Sequence, residues 1–307
     1  MNAQKFDINY LKTLDESELY RLEREIARKY MGGLSWFMVL WPLLNVLCWF
    51  SIWPLVIYDV IPLWAGFIIA VINCTLAYLP SHEAQHDIYA RKGEKLYWLN
   101  QLIGHASLIP LASSYRVLRE THIEHHKHTN NPDLDPDFSS NAETGWGNIM
   151  NSINNFQPGS KSNKAYLNTL ERLNTPEAKL AIRDQIMITL AFNLFLFIMA
   201  FSGYALEALL LWWLPIKLGF IYLRYYLSWR PHFPNPTMGR YQNTRAFKSW
   251  LGNLSSLGMT AHIVHHLHPR IPLDRTPAAL RELEPILALR GCNLEDHYHI
   301  DAGFKKQ

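Results

Sequence analysis

Apolar residues gather into four long runs along this chain, separated by polar and charge-rich segments. No Asp, Glu, Lys or Arg occurs at residues 30–58, 60–82 or 185–206, and residues 206–227 contain only three charged side chains. About 20 predominantly apolar residues are enough to cross a bilayer as an α-helix, and buried helices of soluble domains are seldom so long. The pattern therefore predicts an all-α integral membrane protein with four transmembrane helices.

The four runs pair into two transmembrane hairpins, because the connection inside each pair is short and contains no Lys or Arg. Nearly all of the 29 basic residues lie in the N-terminal arm, the middle segment and the tail. The positive-inside bias places these segments and both termini in the cytoplasm, and in a bacterium the membrane would be the inner, plasma membrane. We expect a cytoplasmic amphipathic helix (1–32), two hairpins (33–80 and 183–227) and two cytoplasmic segments (81–182 and 228–307).

Two further helices are predicted outside the membrane. The N-terminal sequence "DESELYRLEREIARKY" is charged and amphipathic, so no cleavable signal peptide is expected. Near the tail, "TPAALRELEPILALRG" predicts a helix with Thr276 as its N-cap, Pro277 at the first helical position and Gly291 as its stop. We expect that helix to be structural.

Charge and cysteine content exclude several classes of function. The formal net charge of +3 follows from the cytoplasmic segments of the predicted topology, so it indicates no nucleic-acid partner. The three cysteines, Cys48, Cys74 and Cys292, have no paired spacing and form no CxxC motif. Disulfides and iron–sulfur clusters are therefore not expected.

Eight of the 14 histidines form three clusters, which we call the first, second and third histidine boxes. The boxes have the patterns HxxxH, HxxHH and HxxHH, and they consist of His82 and His86; His122, His125 and His126; and His262, His265 and His266. Residues three or four apart share a face of a helix, so each box presents imidazoles on one side. Neutral imidazole suits iron, zinc, copper and nickel. Eight imidazoles exceed the ligands of one tetrahedral ion and favour two metals shared by three helices.

The first box is also a literal HExxH motif, which on a helix is the signature of zinc proteases. In such a protease Glu83 would be the general base, and one zinc would be bound by two histidines and a distant carboxylate. An intramembrane zinc metalloprotease is therefore one alternative. It leaves the other six clustered histidines without a role.

The three boxes, with paired apolar runs before the first and the third, resemble the membrane fatty acid desaturase and hydroxylase superfamily over roughly residues 35–290. The resemblance implies a cytoplasmic helical cap that holds two iron ions, with O2 as co-substrate. It implies that the eight box histidines are iron ligands, and it makes His232, in "LSWRPHFPNP", the candidate for a ninth. The stretch "NNPDLDPDF" also resembles one common after the second box, where Asp133, Asp135 and Asp137 are candidates to orient ligand imidazoles.

The expected reaction is desaturation or hydroxylation of a long apolar lipid, with a fatty acyl chain as the first choice. The stretch "RPHFPNPTMGRYQNTRAFKSWL", followed by "HIVHHLHPRIPL", is similar to bacterial β-carotene ring hydroxylases, so that activity is the alternative. The Asn-rich stretch 139–165 fits neither group strongly. A membrane sensor that binds metal without turnover is a third class.

Two further expectations concern the substrate and the source of electrons. Lys217 lies ten residues after Glu207, about 15 Å along a helix, and therefore near the middle of the fourth span. An intramembrane cation usually faces the protein interior, so Lys217 is a candidate for the substrate channel. The sequence contains no visible flavin, cytochrome or ferredoxin motif. We therefore expect an external electron carrier, ferredoxin-, rubredoxin- or cytochrome b5-like, with its reductase.

Overall fold

The computed structural model describes residues 8–157, 159–234 and 237–295. Within those ranges no β-strand forms, and an isolated backbone bridge joins Arg245 to Asn293. The helices are, in chain order, α1 (Glu16–Tyr30), α2 (Trp36–Ile57), α3 (Leu63–Gln85), α4 (Tyr97–Ala106), α5 (Tyr115–His128), α6 (Gly145–Asn154), α7 (Lys161–Leu173), α8 (Pro176–Phe201), α9 (Ala205–Trp229), α10 (His262–Leu267) and α11 (Thr276–Leu289). Shorter helical turns lie at Ile8–Leu11, Ile109–Leu111, Phe138–Ser140, Met259–Ala261 and Leu273–Arg275, and α9 contains π-helical turns at Leu209–Trp213 and Arg224–Trp229.

Four of these helices, α2, α3, α8 and α9, are long and apolar enough to cross a membrane. They contain 22, 23, 26 and 25 residues, against the roughly 20 that a bilayer requires. Their number agrees with the four apolar runs of the sequence. The prediction of an all-α protein with four candidate membrane spans is therefore confirmed over the described residues.

The helix ends differ from the boundaries that hydrophobicity predicts. Helix α3 continues past the expected boundary at residue 80, so that His82 lies in its last turn. Helix α8 begins at Pro176, ahead of the expected residue 183, because the Thr175 side chain accepts a hydrogen bond from the backbone N–H of Ala178 and caps the helix. An apolar run marks the part of a helix that fits a bilayer, whereas caps and turns decide where the helix ends.

The chain divides into two compact units. The first, which we call the central unit, covers residues 33–229. The second, the terminal unit, is built from both ends of the chain, and its described part comprises residues 8–32 and 230–295. The four candidate spans and the first two histidine boxes belong to the central unit, whereas the third box and His232 belong to the terminal unit.

Helix α3 packs against α2, α4, α5 and α9 in the central unit. The rings of Trp49 and Trp212 lie 5.0 Å apart, edge to face, and Trp53 packs beside both. A polar pair joins α2 to α3 within the apolar region: Asn73 Nδ2 donates to Asn45 Oδ1 (2.7 Å), and Asn45 Nδ2 donates to the carbonyl oxygen of Asn73 (3.0 Å). Both side chains are buried, and their mutual hydrogen bonds satisfy polar groups that lipid cannot.

The helix of the second box is held from two sides. Helix α5 packs against α7 and α8, with a small buried cluster around Val117 and Leu170. Arg116 of α5 also forms an ion pair with Asp184 of α8. These contacts fix the helix along which the second-box histidines are arranged.

In the terminal unit, α11 packs against both α1 and α10. The buried apolar core takes side chains from all three helices, including Leu19, Ile26, Ile263, Val264, Leu280, Leu283 and Ile286. Helix α1 begins with a capping box, in which the Asp15 side chain accepts from the N–H of Glu18 and the Glu18 side chain accepts from the N–H of Asp15. The third box therefore lies on a short helix that is supported by the N-terminal and C-terminal helices.

Helix α11 begins one residue earlier than its sequence predicts. Thr276 is its first residue, so the prediction that Thr276 is the N-cap is wrong. The Thr276 hydroxyl donates to the carbonyl oxygen of Leu273 (2.9 Å), which commits it to the preceding turn instead of to a free N–H of the helix. Gly291 follows the helix with φ of +71°, the left-handed conformation that commonly ends a helix, as predicted.

A buried carboxylate joins the two ends of the chain in the terminal unit. Glu23 of α1 is fully buried, and it accepts a hydrogen bond from the Tyr241 hydroxyl (2.9 Å). It also pairs with His268 Nε2 (3.0 Å) and Arg290 Nε (3.2 Å). Burial raises the pKa of Glu23, but these three partners outweigh burial and lower the pKa below its ordinary value. Glu23 is therefore ionised at neutral pH, and it binds α1 to His268, two residues beyond the third box.

Candidate metal centre

The first histidine box lies where α3 ends. His82 occupies the last turn of the helix and is almost fully buried, and His86 is the first residue after the helix. The chain then turns through Asp87, whose φ of +54° is left-handed. The ring centroids of the two histidines lie 5.2 Å apart, on one side of the helix end.

Arg119 of α5 binds this helix end directly. Its guanidinium group donates to the carbonyl oxygens of Ala84 (3.2 Å) and Gln85 (2.8 Å). It also forms two parallel bonds of 2.9 Å to the two carboxylate oxygens of Asp87. A cation at a helix C-terminus satisfies carbonyls that have no partner within the helix. Arg119 therefore fixes the first box relative to the helix that carries the second.

The second box faces the first across α3 and α5. Ser114 caps α5 by accepting a hydrogen bond from the N–H of Val117, so the helix is already established before the box begins. His122 Nε2 lies 2.9 Å from His86 Nε2, and His126 Nε2 lies 3.1 Å from His122 Nε2. The first two boxes, separated by some 36 residues, therefore meet within the central unit.

Burial keeps two of these imidazoles neutral. Removal from water lowers the pKa of His86 and of His122 well below the ordinary value, and the neighbouring imidazoles lower both further. A neutral imidazole has one ring nitrogen with a free lone pair, which is the form that binds a metal. The electrostatics of the cluster therefore favour a cation there.

His125 differs from its neighbours because it contacts a carboxylate. Burial lowers the pKa of His125, but Asp135, whose Oδ1 lies 2.8 Å from His125 Nδ1, outweighs burial and raises it to about 9. The Asp135 carboxylate also accepts the backbone N–H groups of Asn130 and Asp137, each at 2.8 Å. With Nδ1–H donated to this carboxylate, a metal would bind His125 through Nε2 and displace the proton that the raised pKa places there.

The other two aspartates of the stretch lie elsewhere. Asp137 Oδ1 accepts a hydrogen bond from the Tyr166 hydroxyl (2.6 Å), which connects the stretch to α7. Asp133 is exposed, and its backbone N–H donates to the side chain of Asn131 (2.9 Å) within a turn. Of the three predicted residues, Asp135 is thus the one placed against a box histidine.

The third box and His232 come together in the terminal unit. The ring centroid of His232 lies 5.2 Å from that of His266 and 5.4 Å from that of His262. His232 Nδ1 donates to the carbonyl oxygen of Asn243 (3.1 Å), which leaves Nε2 as its possible ligand atom. His262 and His265 are almost fully buried. His232 therefore belongs to the same histidine group as the box that follows it in the sequence.

Lys217 lies within α9, in aromatic surroundings. Its ammonium nitrogen is 5.0 Å from the ring centroid of Phe156 and 5.4 Å from that of Trp213, both within the range of a cation–π interaction. Its side chain is half-buried. The ammonium group of the candidate substrate residue thus contacts two aromatic rings.

Sequence reasoning missed two residues that hold the histidines in place. The sequence indicates Arg119 only as one of the basic residues that favour a cytoplasmic middle segment, and Glu23 only as part of an amphipathic helix. The sequence contains weak signals for both: Arg119 lies three residues before the second box, and His268 lies two residues after the third. The residues that Arg119 and Glu23 contact lie far away in the sequence, so the sequence does not show that they pair.

The donor set fits a first-row transition metal. At metal–imidazole distances of about 2.1 Å, two nitrogens at right angles around one ion lie about 3.0 Å apart. His122 Nε2 lies 2.9 Å from His86 Nε2 and 3.1 Å from His126 Nε2, and both separations match this value. Imidazole nitrogens suit iron as well as zinc and copper, so the fit does not by itself select iron.

Comparison with known proteins gives one family match. The family model described as fatty acid desaturase matches residues 58–296, which is most of the chain. The matched range includes three of the candidate spans, all three boxes and His232.

Two curated relatives have short regions of similarity. An sn-1 oleoyl-lipid 12-desaturase of Picosynechococcus sp. is 31% identical over 78 residues, which is 25% of this chain and 20% of the relative. Another protein of that name, from Anabaena variabilis, is 42% identical over 50 residues, 16% of this chain and 14% of the relative. The aligned part of the chain thus spans a fifth or less of the relatives' own length.

Proposed function

Because the chain belongs to the fatty acid desaturase family, we propose that it is a membrane enzyme that uses O2 and two iron ions to desaturate or hydroxylate a long apolar lipid. The observation that carries the proposal is the approach of His122 Nε2 to within 2.9 Å of His86 Nε2 and 3.1 Å of His126 Nε2. These nitrogen donors occur in a protein that also has four helices long and apolar enough to cross a bilayer. A metal site of this kind at a membrane suits oxidation of a lipid.

We propose nine iron ligands. They are the eight box histidines and His232, namely His82, His86, His122, His125, His126, His232, His262, His265 and His266. The central unit supplies five of them and the terminal unit four. The proposal that both sets serve one di-iron centre rests on the resemblance to the family.

Each unit contributes more than ligand atoms to this proposed chemistry. When bound, the iron pair would supply the activation of O2 and the removal of hydrogen from an unactivated C–H bond. His86 and His122 are held in the neutral form that a metal requires, because burial lowers their pKa. Asp135 fixes the orientation of His125, and the carbonyl oxygen of Asn243 does the same for His232.

A fatty acyl chain is the first choice of substrate. The similar curated proteins carry the name oleoyl-lipid desaturase, which supports an acyl lipid. Lys217 would contact a polar group of that lipid from within α9. Electrons would come from an external ferredoxin-, rubredoxin- or cytochrome b5-like carrier and its reductase. In the proposed topology both termini and all three boxes lie in the cytoplasm, where such carriers occur.

Hydroxylation of a β-carotene ring is the second candidate. It is favoured by the sequence around His232 and the third box, which resembles that of bacterial carotene hydroxylases. The protease alternative loses support, because the family match covers both units and because the first box adjoins three further histidines of the second box in the central unit.

Lipid analysis tests the proposed function. Cells that express the full chain together with an electron carrier and reductase should contain acyl lipids that have lost two hydrogens or gained one oxygen, measured by mass spectrometry of extracted lipids. A carotenoid that has gained oxygen would select the second candidate. Unchanged lipids and carotenoids, in cells whose membranes contain the iron-loaded protein, would contradict both.

Two histidine variants in the same helix provide the control. His122→Ala should abolish the new lipid, because it removes the imidazole nearest to two others. The control is His128→Ala. His128 lies one and a half turns further along α5, is partly exposed and is not among the proposed ligands. This variant should leave the product unchanged, and equal losses in both variants would mean that the helix, not the metal, had been damaged.

A further inference from the structure

Residues 144–160 contain no charged side chain, although they lie outside the four apolar runs. The segment contains α6 and belongs to the Asn-rich stretch that fits neither enzyme group strongly. A helix whose outer face meets water normally carries charged residues on that face. The lack of charge indicates that α6 faces something other than water.

Helix α6 packs against α9, one of the candidate spans. At Gly145 the two helices approach so closely that a Cβ atom there would lie 3.0 Å from the Tyr225 ring and 3.4 Å from the Trp229 ring. Trp229 Nε1 donates to the carbonyl oxygen of Ala142 (2.8 Å), just before α6. At the other end, the Phe156 ring lies against the Lys217 ammonium group. The segment therefore runs beside the last third to half of a helix that can cross a bilayer.

In α6 buried positions are polar and exposed positions include apolar residues, which is the reverse of a helix that faces water. Asn148 and Ser152 point inward and are buried: Asn148 Nδ2 donates to the carbonyl oxygen of Ser140 (2.8 Å), and the Ser152 hydroxyl donates to that of Asn148 (2.9 Å). Three of the exposed positions are apolar. Trp146, Met150 and Ile153 are 69%, 37% and 40% exposed, and their spacing of four and three residues places them on one face.

We propose that α6 is an interfacial helix that inserts Trp146, Met150 and Ile153 into the lipid of the leaflet at the Trp229 end of α9. Helices with a lipid-facing apolar stripe lie in the membrane interface, and tryptophan is enriched at that depth. Helix α9, against which α6 packs, also exposes apolar residues, Trp213 and Leu218, as a helix in contact with lipid does. The proposal requires α9 to span the membrane and is independent of the proposed reaction.

The end of the helix limits how deep it lies. Asn154 and Gln157 are exposed, and uncompensated amides are costly in the hydrocarbon centre. In the interface they can bind water and headgroups while the three apolar residues enter the acyl region. Helix α6 therefore lies along the surface of the bilayer and does not cross it.

Spin labels on single cysteines test this placement in the full-length protein in phosphatidylcholine–phosphatidylglycerol vesicles. Cys48 and Cys292 are replaced by serine, buried Cys74 is retained, and labels are placed at positions 146, 150 and 153. Leu190, exposed in α8, gives the lipid reference, and Asn168, exposed on α7, gives the water reference. Relaxation of each label is measured with oxygen, which concentrates in lipid, and with a water-soluble nickel chelate.

Labels on the three α6 positions should respond to oxygen like the label at Leu190 and should be shielded from nickel. A nickel response like that at Asn168 would overturn the proposal. Shielding from both reagents would also overturn it, because it would mean that another protein or a second copy covers the face. If the labelled variants do not fold, quenching by brominated phospholipids is compared between the unaltered protein and Trp146→Phe. An equal quenched fraction in the two would count against lipid contact.

Discussion

Asp135 and Asp133 lie two positions apart in one turn, but only Asp135 touches a histidine. We expect Asp135→Asn to weaken metal binding about 10–100-fold, because residues that orient ligand imidazoles have effects of this size. Asparagine keeps the shape but loses the charge that outweighs burial at His125. The measurement is iron retained per chain during titration with a chelator.

The exposed neighbour serves as the matched control. Asp133→Asn makes the same chemical change without a histidine contact, so its iron content should equal that of the unaltered protein. An equal loss of iron in the two variants would show that the acidic turn acts as a whole and not through His125.

Glu83 separates the two interpretations of the first box. It lies between His82 and His86 and is almost fully buried. We expect Glu83→Gln to keep its iron and its lipid product, because a desaturase-type box needs no general base at this position. A protease would lose its activity. Retained metal with complete loss of lipid product would contradict the proposed role of the box, and product formation is measured by mass spectrometry.

Lys217 is proposed to act on the substrate. We expect Lys217→Met to lower turnover severalfold while the amount of protein in the membrane changes little. Methionine preserves length and apolar packing but removes the cation that contacts the Phe156 and Trp213 rings. Lys164→Met, at an exposed position of α7, is the control. Equal losses of turnover and of protein would make Lys217 structural.

For single residues, the sequence predicts the type of chemistry better than it predicts the role of each side chain. It gives eight clustered histidines and three nearby aspartates, but it does not tell which aspartate turns inward. That choice is made by the backbone N–H groups of Asn130 and Asp137, which both point at the Asp135 carboxylate. A turn of about this length can adopt many conformations, so its sequence alone does not predict that Asp135 is the aspartate that turns inward.

Among the elements, the contact between the end of α3 and α5 depends on one guanidinium group. We expect Arg119→Lys to destabilise the protein by about 1.5–3 kcal/mol and to weaken metal binding, because lysine cannot form the paired bonds to Asp87 together with those to two carbonyls. Thermal unfolding and iron content measure the two effects.

Arg116→Lys tests whether this effect is specific. Arg116 is one turn earlier on α5 and pairs with Asp184 of α8, but its side chain is more exposed. Lysine can maintain such a pair, so stability should change by less than about 0.5 kcal/mol. A larger effect at Arg116 than at Arg119 would contradict the role assigned to the helix end.

Helices were predicted more accurately than their ends. Four apolar runs predict four candidate spans, because a bilayer imposes a length that few other structures require. Local capping is harder to identify. Thr175 does cap α8, whereas Thr276, also followed by proline, turns its hydroxyl toward Leu273 and lies inside α11. The two threonine–proline pairs are alike in sequence, and the preceding turn distinguishes them.

For the molecule as a whole, Glu23 should make stability depend on pH. Its pKa is lower in the folded protein than the ordinary value of 4.5, so the pairing stabilises the fold fully above that value and is lost as pH falls through the lowered pKa. We expect Glu23→Gln to destabilise the terminal unit by about 3–5 kcal/mol near neutral pH, because it removes the buried charge that pairs with His268 and Arg290. The variant should also lose part of the acid dependence.

Hydrogen exchange of α1 between about pH 6 and about pH 3 measures this dependence. Glu16→Gln is the control, because Glu16 also pairs with Arg290 but its side chain is largely exposed. Its exchange should resemble that of the unaltered protein. If both variants exchange alike, burial of the Glu23 carboxylate contributes nothing measurable.

The division into units was beyond sequence reasoning. The sequence predicts five successive segments along the chain, and the structure groups the described parts of the first and the last in one compact unit. The contacts responsible join residues such as Glu23 and His268, which are more than two hundred positions apart. Hydrophobic periodicity depends only on residues close together in the sequence. It therefore predicts the helices of the terminal unit but not that they pack against one another.

The amide pair between Asn45 and Asn73 has a consequence for the far end of α3. Sliding α2 along α3 by one residue, about 1.5 Å, would break both hydrogen bonds. Two buried amide side chains would then have lost their partners in an apolar environment. His82 lies nine residues beyond Asn73 in the same helix, about 14 Å along its axis. The amide pair therefore fixes the axial position of the first histidine box relative to α2, from a point well inside the apolar part of the helix pair.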